Sequence, residues 1–482
     1  MQLVWFRRDL RISDNAALYY ASLKGPVSAV YFVTPEQWKK HHLAPIQADF
    51  IEQNLNVLAT QLATLGIALL VEEVADFFHI PARLAALQKT FDIEMIHANA
   101  EPEINEKTRD QAVLTAGLPL TLYECDCMLQ AGSVRTKEGG MYKVFSAFRN
   151  TWMAKIKQTN ITPLPIPSAQ LSALNTLVVE DSALNDDQKN SSLSTPAAQL
   201  ASLTLSNRED IVVNYDKKSS KAWPAGEIQA QSRLQDFISH GIEHYHHNRD
   251  IPCLDGTSQL SAYLALGVIS EKQCVNRVLA AFPDALEEKE SGAFCWINEI
   301  VWREFYRHLV ILNPELCKSK NFNKRADNIK WSNNPDLFKA WCEGRTGYGL
   351  VDAAMRQLNE TGWMHNRLRM VTASFLTKHL LIDWRWGEAY FMANLIDGDL
   401  ASNNGGWQWA ASTGCDAQPY FRIFNPIIQS QKFDPKGLFI RKYVGELRRF
   451  DNTKIHLPVR AIVEHKQARL TALDRYAVLK KG

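Results

Sequence analysis

The sequence predicts an α/β N-terminal domain with a doubly wound parallel sheet, joined by a long linker to an all-helical C-terminal domain. Short apolar runs alternate with helical patterns in the first quarter of the chain, which is typical of such a sheet. A stretch rich in Pro, Ser and Asn covers 160–206 and predicts a mobile linker. From about residue 225 the apolar period becomes helical. The predicted units are 1–130, a connector at 131–225, and 226–482.

The N-terminal elements follow from runs of apolar residues. Buried strands are predicted at 3–6, 27–33, 67–71 and 93–97, with helices at 48–65 and 105–116 between them. In a doubly wound sheet, ligands bind beyond the carboxyl ends of the strands. No GxGxxG follows the first strand, so a standard dinucleotide fingerprint is absent. The glycines at 344–349 are interpreted as a turn.

The C-terminal elements follow from a repeat of about four residues. Helices are predicted at 294–312, 350–359 and 364–382, and Thr361-Gly362 is a stop signal between the last two. On the first of these helices, Glu299 and Trp302 are three residues apart and therefore share a face. Ten of the thirteen Trp lie between Trp223 and Trp409. They indicate either a large helical core or an aromatic site for flat ligands.

Composition excludes several classes of protein. With 482 residues, 46% hydrophobic residues and a net charge of +2, the chain is globular and is not a polycation. It has no apolar run of ~20 residues, and its first eight residues are charged too soon for a signal peptide. We expect a cytoplasmic monomer with eight free cysteines and no metal site. The basic stretch 421–482 is either a solvated surface or a phosphate-binding face.

Three motifs carry a family resemblance. They are Gly362-Trp-Met-His-Asn-Arg-Leu-Arg-Met370, the block Asp397 to Gly414 that contains Asn-Asn-Gly-Gly-Trp-Gln-Trp409, and Trp302-Arg-Glu-Phe-Tyr306. Together with Trp5-Phe-Arg-Arg-Asp-Leu-Arg11, they closely resemble the DNA photolyase/cryptochrome family. Within it, the chain is most similar to the class I cyclobutane pyrimidine dimer photolyases. The resemblance covers nearly the whole chain except 160–206.

The resemblance implies FAD in a helical FAD- and DNA-binding domain, with the flavin reduced and anionic. The segment Gly256–Ser261 offers backbone N–H groups and hydroxyls ahead of a helix, which suits either a helix cap or a phosphate cradle. The family usually carries Arg where this chain has Gln259, and nearby Arg249 or Lys residues are candidates to compensate. The implied cofactor residues are Tyr245, Thr257, Ser258, Gln259, Leu260, Ser261, Trp296, Arg303, Asn366, Arg369, Asp397, Gly398, Asp399 and Asn403.

The resemblance also implies a light-dependent carbon–carbon lyase that splits the cyclobutane ring of a flipped-out pyrimidine dimer. Trp302 and Trp409 would stack on the bases, and Glu299 would hydrogen-bond to the pyrimidine edge. Asn366 and Met370 replace the two His of the (6-4) photolyases, which argues for the cyclobutane lesion. The implied catalytic residues are Glu299, Asn403, Trp302, Met370 and Asn366, and the DNA-binding residues are Glu299, Trp302, Arg303, Tyr306, Asn366, Arg367, Trp409, Arg422 and Gln429.

Two further sets come from the same resemblance. Trp331, Trp384 and Trp407 match an electron relay that restores the flavin to its active form. His41, Asn105, Glu106, Cys317 and Lys318 match a folate antenna site; methenyltetrahydrofolate is favoured over deazaflavin, and flavin-type antennas stay open.

The main alternative to the enzyme is a cryptochrome photoreceptor that repairs nothing. Asn403 argues against it, because plant cryptochromes have Asp at the matching position.

Overall fold

The computed structural model describes residues 1–170 and 210–480, and it divides into two compact units. One contains Met1–Ser133, Ile156–Gln235 and Leu260–Ala281, and the other contains Val134–Lys155, Asp236–Gln259 and Phe282–Gly482. The predicted domain boundaries at 130 and 225 stay predictions.

The first unit is built on a parallel five-stranded sheet. The strands are β1 Gln2–Phe6, β2 Val27–Val33, β3 Leu69–Glu73, β4 Met95–Asn99 and β5 Leu120–Tyr123, in the spatial order β3-β2-β1-β4-β5. The central strand β1 pairs on both sides, with Val4 opposite Ala29 and His97. The predicted doubly wound parallel sheet is therefore confirmed.

Helices cross over between these strands. They are α1 Ala16–Ser22, α2 Pro35–Lys40, α3 Pro45–Thr64, α4 Ile80–Phe91 and α5 Ile104–Thr115. Trp5, Val30 and Ile96 point from neighbouring strands into one apolar cluster with Leu84 and Leu87 of α4. Burial of these side chains against a helix is what fixes the strand register, because a shift of one residue would turn each of them to the other face.

Part of the predicted linker packs against this sheet unit. Leu164 and Asp14 exchange hydrogen bonds through the Leu164 backbone, and Gln170 donates from its backbone N–H to the carbonyl of Leu65. The remainder of the predicted linker, 171–206, lies outside the described residues.

The rest of the described chain is helical. The helices are α6 Phe145–Ile156, α7 Glu227–His240, α8 Tyr245–Asn248, α9 Ser261–Ala265, α10 Glu271–Ala281, α11 Gly292–Leu312, α12 Pro335–Cys342, α13 Gly349–Thr361, α14 Asn366–Ser374, α15 Trp384–Met392, α16 Leu400–Ala410, α17 Pro426–Phe433, α18 Leu438–Tyr443 and α19 His465–Arg475. The single helix predicted at 364–382 is in fact α14 followed by a π-helical turn, Phe375–His379.

The second unit has one large apolar cluster at its centre. Buried side chains of α12, α13, α14, α15 and α16 meet there, among them Trp341, Leu358, Trp384 and Trp407. Over the described ranges, no helix has both the length and the apolar character that a membrane span requires. The described residues also contain no group of three or more His, Cys, Asp or Glu that could hold a metal ion.

Candidate active site

Helix α11 carries five predicted site residues, and four of them lie on adjacent turns. Trp296, Glu299, Trp302 and Tyr306 are spaced by three or four residues, so their side chains follow one another along the helix. Ser291 caps the helix by accepting a hydrogen bond from the Phe294 N–H at 3.1 Å. Their relative positions are therefore set by helix geometry.

The predicted cofactor loop is attached to this helix. The buried indole of Trp296 donates from Nε1 to Ser258 Oγ at 3.1 Å. Tyr245 is also buried, and Phe237 packs against both Tyr245 and Trp296, with ring centroids 5.7 and 5.8 Å away. Thr257, Gln259 and Ser261 are half-buried, and Leu260 is buried.

Arg249 contacts the predicted site residue Glu299, a pairing that the sequence did not reveal. Its Nη1 donates to Glu299 Oε1 at 2.7 Å and contacts Cys295 Sγ at 3.1 Å. Burial raises the pKa of Glu299, while the ion pair with Arg249 opposes that rise. Arg249 is thus engaged by Glu299, so the suggestion that it replaces the cation missing at Gln259 has no support in these contacts.

A second ion pair joins Asp250, the residue after Arg249, to α14. Arg367 donates two hydrogen bonds to Asp250, at 3.2 and 2.8 Å, and its Nη1 lies 3.6 Å from Met370 Sδ. Asn366 is the exposed first residue of α14. Since Asp250 follows Arg249 in the chain, consecutive residues tie Glu299 on α11 to Met370 on α14. The structure thereby brings Glu299, Met370 and Arg367 into one neighbourhood.

The two aspartates around Gly398 have different partners. Asp399 caps α16 by accepting from the Ser402 N–H at 2.9 Å, and it pairs with Arg307 at 3.0 Å. Asp397 pairs with Arg369 through Oδ2 at 2.7 Å. The other oxygen of Asp397, Oδ1, is buried and has no hydrogen-bond partner among the described residues.

A buried carboxylate oxygen that lacks a hydrogen-bond donor destabilises the folded protein by about 1–3 kcal/mol, or more when the group is charged. It is explained if a ligand supplies the missing donor. The buried Nε2 of His365 likewise lacks a partner within the described ranges. These two atoms fit a bound polar ring such as the one that FAD contains, and Arg369 would set a positive charge beside it.

Asn403 lies on α16 and contacts Glu388, a residue that the sequence did not single out. Its Nδ2 donates to the backbone carbonyl of Glu388 at 3.0 Å, which leaves Oδ1 as the acceptor end of the amide. The neighbouring Asn404 donates to Glu388 Oε1 at 2.8 Å. Burial raises the pKa of Glu388 to about 7. Only the position of Glu388, four residues after Trp384 on the same helix face, could have suggested that Glu388 lies near the site.

The two predicted stacking residues lie on packed helices. Trp302 on α11 and Trp409 on α16 are both half-buried. The helices approach closely because Tyr306 packs directly on Gly405: a Cβ there would fall 2.2 Å from the tyrosine ring. Trp302 itself stacks on Phe145 of α6, with ring centroids 3.5 Å apart and planes 6° from parallel. Phe145 was not predicted to be part of the site.

The three relay tryptophans share one packed region. Trp384 and Trp407 are buried in the central apolar cluster, and Trp331 packs against its edge. Gly387, one turn after Trp384, lies so close to Trp407 that a Cβ would fall 2.0 Å from the indole. The residue after Trp331 donates its N–H to the carbonyl of Leu381 at 2.7 Å, three residues before Trp384. These contacts connect the segments that carry Trp331, Trp384 and Trp407, and the relay itself stays a prediction.

The remaining predicted residues divide between the two units. In the sheet unit, Asn105 Nδ2 lies 2.9 Å from His41 Nε2, and Glu106 lies 3.8 Å from the other ring nitrogen. Burial and two nearby carboxylates raise the pKa of Glu106 to about 7. In the helical unit, Cys317 and Lys318 lie on the turn Pro314–Lys318. Arg303 and Gln429 are half-buried, and Arg422 is exposed.

Comparison with known proteins gives a consistent answer over the full chain. Residues 2–168 match the family model described as DNA photolyase, and residues 296–478 match the FAD binding domain of DNA photolyase. The chain is 44% identical over 499 residues to the deoxyribodipyrimidine photo-lyase of Vibrio cholerae, covering all of both chains.

Solved structures agree with these matches. A class III photolyase from Agrobacterium tumefaciens aligns with a TM-score of 0.79 and 32% identity, covering 100% of this chain and 98% of that one. A cryptochrome from Synechocystis aligns with a TM-score of 0.80 and 27% identity, covering 98% of each chain. The fold is thus common to repair enzymes and photoreceptors, whereas the full-length sequence match is to a repair enzyme. The chain belongs to the DNA photolyase family.

Proposed function

We propose that Glu299, Trp302, Met370 and Trp409 line the pocket in which a cyclobutane pyrimidine dimer is split, and that Asn366 borders it. Membership of the family makes the chain a light-dependent DNA repair enzyme with an FAD-binding domain. The single observation that carries the pocket is the connection of Glu299 to α14 through Arg249, Asp250 and Arg367. This connection supports a site that combines a carboxylate with Met370, whose side chain has no proton to give.

FAD is the cofactor that this family fold holds, and the residues fit it. Asp397 offers a buried oxygen that lacks a donor, Arg369 adds a positive charge, and Asn403 offers an amide oxygen. A nearby cation favours negative charge on a reduced ring, so these residues support the reduced, anionic state. When bound in that state, FAD supplies the light-driven electron that opens the cyclobutane ring. Ser258, with Trp296 behind it, would help to hold the phosphates.

Glu299 would orient the dimer rather than carry out the bond breaking. Arg249 keeps one oxygen of Glu299 fixed at 2.7 Å, while the side chain stays 29% exposed and can meet a pyrimidine N–H. Trp302 and Trp409 would each stack on one base, and such stacking contributes ~1–3 kcal/mol per base. Because a mismatched or damaged pair is easier to extrude, this pocket selects the lesion over normal DNA.

DNA outside the pocket would be held by cations. Arg422 is exposed and available to position phosphates without reading sequence. Arg367 is proposed for the same role from its place beside the pocket, while it stays paired with Asp250. We also propose a folate antenna, supported by the mutual contacts of His41, Asn105 and Glu106, and a monomeric protein in the cytoplasm, where chromosomal DNA is accessible.

The experiment is a repair assay on an oligonucleotide that carries one thymine dimer. The reduced protein should restore the thymines under blue light and leave them unrepaired in darkness. Glu299→Gln should retain FAD and lose at least tenfold in repair rate, because removing a group that acts on the reacting substrate removes transition-state interactions. Binding of FAD and of dimer DNA without any repair in light would contradict the proposal and indicate a photoreceptor.

A further inference from the structure

The covered face of Trp302 is the feature that the proposed function does not use. Phe145 begins α6 and lies parallel to the indole at a centroid distance of 3.5 Å. Phe305 and Tyr306, from the same helix as Trp302, meet the indole at 82° and 32°. Among the ring contacts of Trp302 within residues 1–170 and 210–480, only that of Phe145 comes from another helix, and it lies flat against the indole.

Phe145 is itself fixed in place. It is buried, and its backbone N–H donates to Asp416 Oδ2 at 2.9 Å. A second ring contact comes from Phe305, whose centroid lies 5.7 Å away at 77°. A ring held by its backbone and by a neighbouring ring has little freedom to turn, so it forms a rigid backing for whatever lies on it.

The anchor of Phe145 also connects to the opposite stacking residue. Asp416 lies two residues before Gln418, whose N–H donates to the Trp409 carbonyl at 3.2 Å. The segment 416–418 thus forms hydrogen bonds both with Phe145, at the start of α6, and with the backbone of Trp409. The spacing of the two indoles is set by this segment together with the contact of α11 and α16.

We infer that Phe145 is a positioning residue for repair: it holds the Trp302 indole flat so that a flipped pyrimidine extends an aromatic stack already begun by Phe145. The inference rests on the proposed role of Trp302. Its physical basis is pre-organisation, since a side chain that is already ordered loses less freedom when a ligand binds. A base stacked on a ring that cannot turn keeps more of its stacking free energy.

The test compares Phe145→Leu with a matched change on the same helix. Phe148 is also buried, but the rings that it meets are those of Phe305 and His308. Phe148→Leu therefore controls for loss of a buried ring from α6. Phe145→Tyr keeps a flat ring and tests for rescue. Each variant is purified with FAD and titrated in the dark against a duplex with one thymine dimer and against the same duplex without it.

Phe145→Leu should raise the Kd for dimer DNA by about three- to tenfold, the range expected for one aromatic pair. Its Kd for undamaged DNA should not change, and repair per bound dimer at saturation should stay within about twofold of the wild type. Phe145→Tyr should restore the affinity, and Phe148→Leu should leave it unaltered. In a Trp302→Ala background, Phe145→Leu should add nothing, because the two residues act as one unit.

Tighter dimer binding by Phe145→Leu would overturn the inference, because it would mean that Phe145 occupies the face that the base requires. Unchanged affinity, or an equal loss with Phe148→Leu, would also overturn it. If Phe145→Leu does not retain FAD, the test rests on Phe145→Tyr. A wild-type affinity of Phe145→Tyr for dimer DNA would support the inference, and a different affinity would count against it. If Trp302→Ala itself binds and repairs normally, the proposed pocket fails instead, which separates the two outcomes.

Discussion

The adjacent glycines of α16 give the sharpest test of the packing that shapes the site. At Gly405 an added Cβ would lie 2.2, 2.3 and 2.6 Å from three atoms of the Tyr306 ring, whereas at Gly406 no atom lies within 4 Å. Both residues are helical, so replacement by Ala contributes the same helix propensity at each, about 1 kcal/mol. The difference between the two variants therefore measures the clash alone.

We expect that difference to be about 1–3 kcal/mol, the usual cost of one methyl group too many in a packed interior. Gly406→Ala should raise the melting temperature. Gly405→Ala should melt about 2–12 °C below Gly406→Ala, at roughly 2–4 °C per kcal/mol for a unit of this size. The Tyr306 ring must also move, so Gly405→Ala should bind dimer DNA more weakly.

The assay is thermal unfolding followed by circular dichroism, with FAD saturating and DNA absent. Wild type, Gly405→Ala and Gly406→Ala are scanned at one rate and at one protein concentration. Equal melting temperatures for the two variants would refute the reasoning, because they would mean that Tyr306 yields at no cost and that α11 and α16 are not held at this separation.

Three other predictions follow from the buried groups and the exposed cation. Trp384→Phe should abolish photoreduction of oxidised flavin while repair by chemically reduced protein persists, measured by flavin absorbance and dimer repair; loss of both would contradict the relay assignment. Burial lowers the pKa of Lys378 from 10.5 to about 7. The native state therefore holds fewer protons than the unfolded state between these values, and wild-type stability rises with pH across them. Lys378→Met should stabilise the protein near pH 7 by an amount that shrinks towards pH 10; a gain independent of pH would contradict this. Arg422→Ala should weaken binding of damaged and undamaged DNA alike and lower the slope of log Kd against log salt by about one; loss confined to dimer DNA would count against a phosphate contact.

The sheet was predictable because its strands β1 and β2 are buried throughout and appear as apolar runs. The strand Leu120–Tyr123 was missed because it is short, lies at the sheet edge and is only partly buried. The break after Ser374 was missed because the apolar pattern continues through the π-helical turn. Local apolar periodicity does not indicate whether a strand lies at the edge of a sheet or where the hydrogen-bond pattern of a helix changes.

The motifs suggested the proposed site residues but not their partners. Arg249 and Glu299 are 50 positions apart, and Arg307 and Asp399 are 92 apart, so no local pattern connects them. Phe145 is separated from Trp302 by more than 150 positions and belongs to no motif. Pairings of this kind arise only when the helices pack, which is why the roles of individual residues could be suggested from resemblance while the contacts that orient them could not.

The helix Gly292–Leu312 contacts the predicted cofactor loop at Trp296 and carries Trp302 of the proposed dimer pocket. Six residues at 1.5 Å each place these contacts about 9 Å apart along one rod. A single inserted residue between them would rotate one contact by about 100° relative to the other. Engineered or natural changes of length within this segment should therefore abolish repair even when FAD and dimer DNA still bind separately. A change of one side chain, by contrast, affects only the contacts on its own turn of the helix.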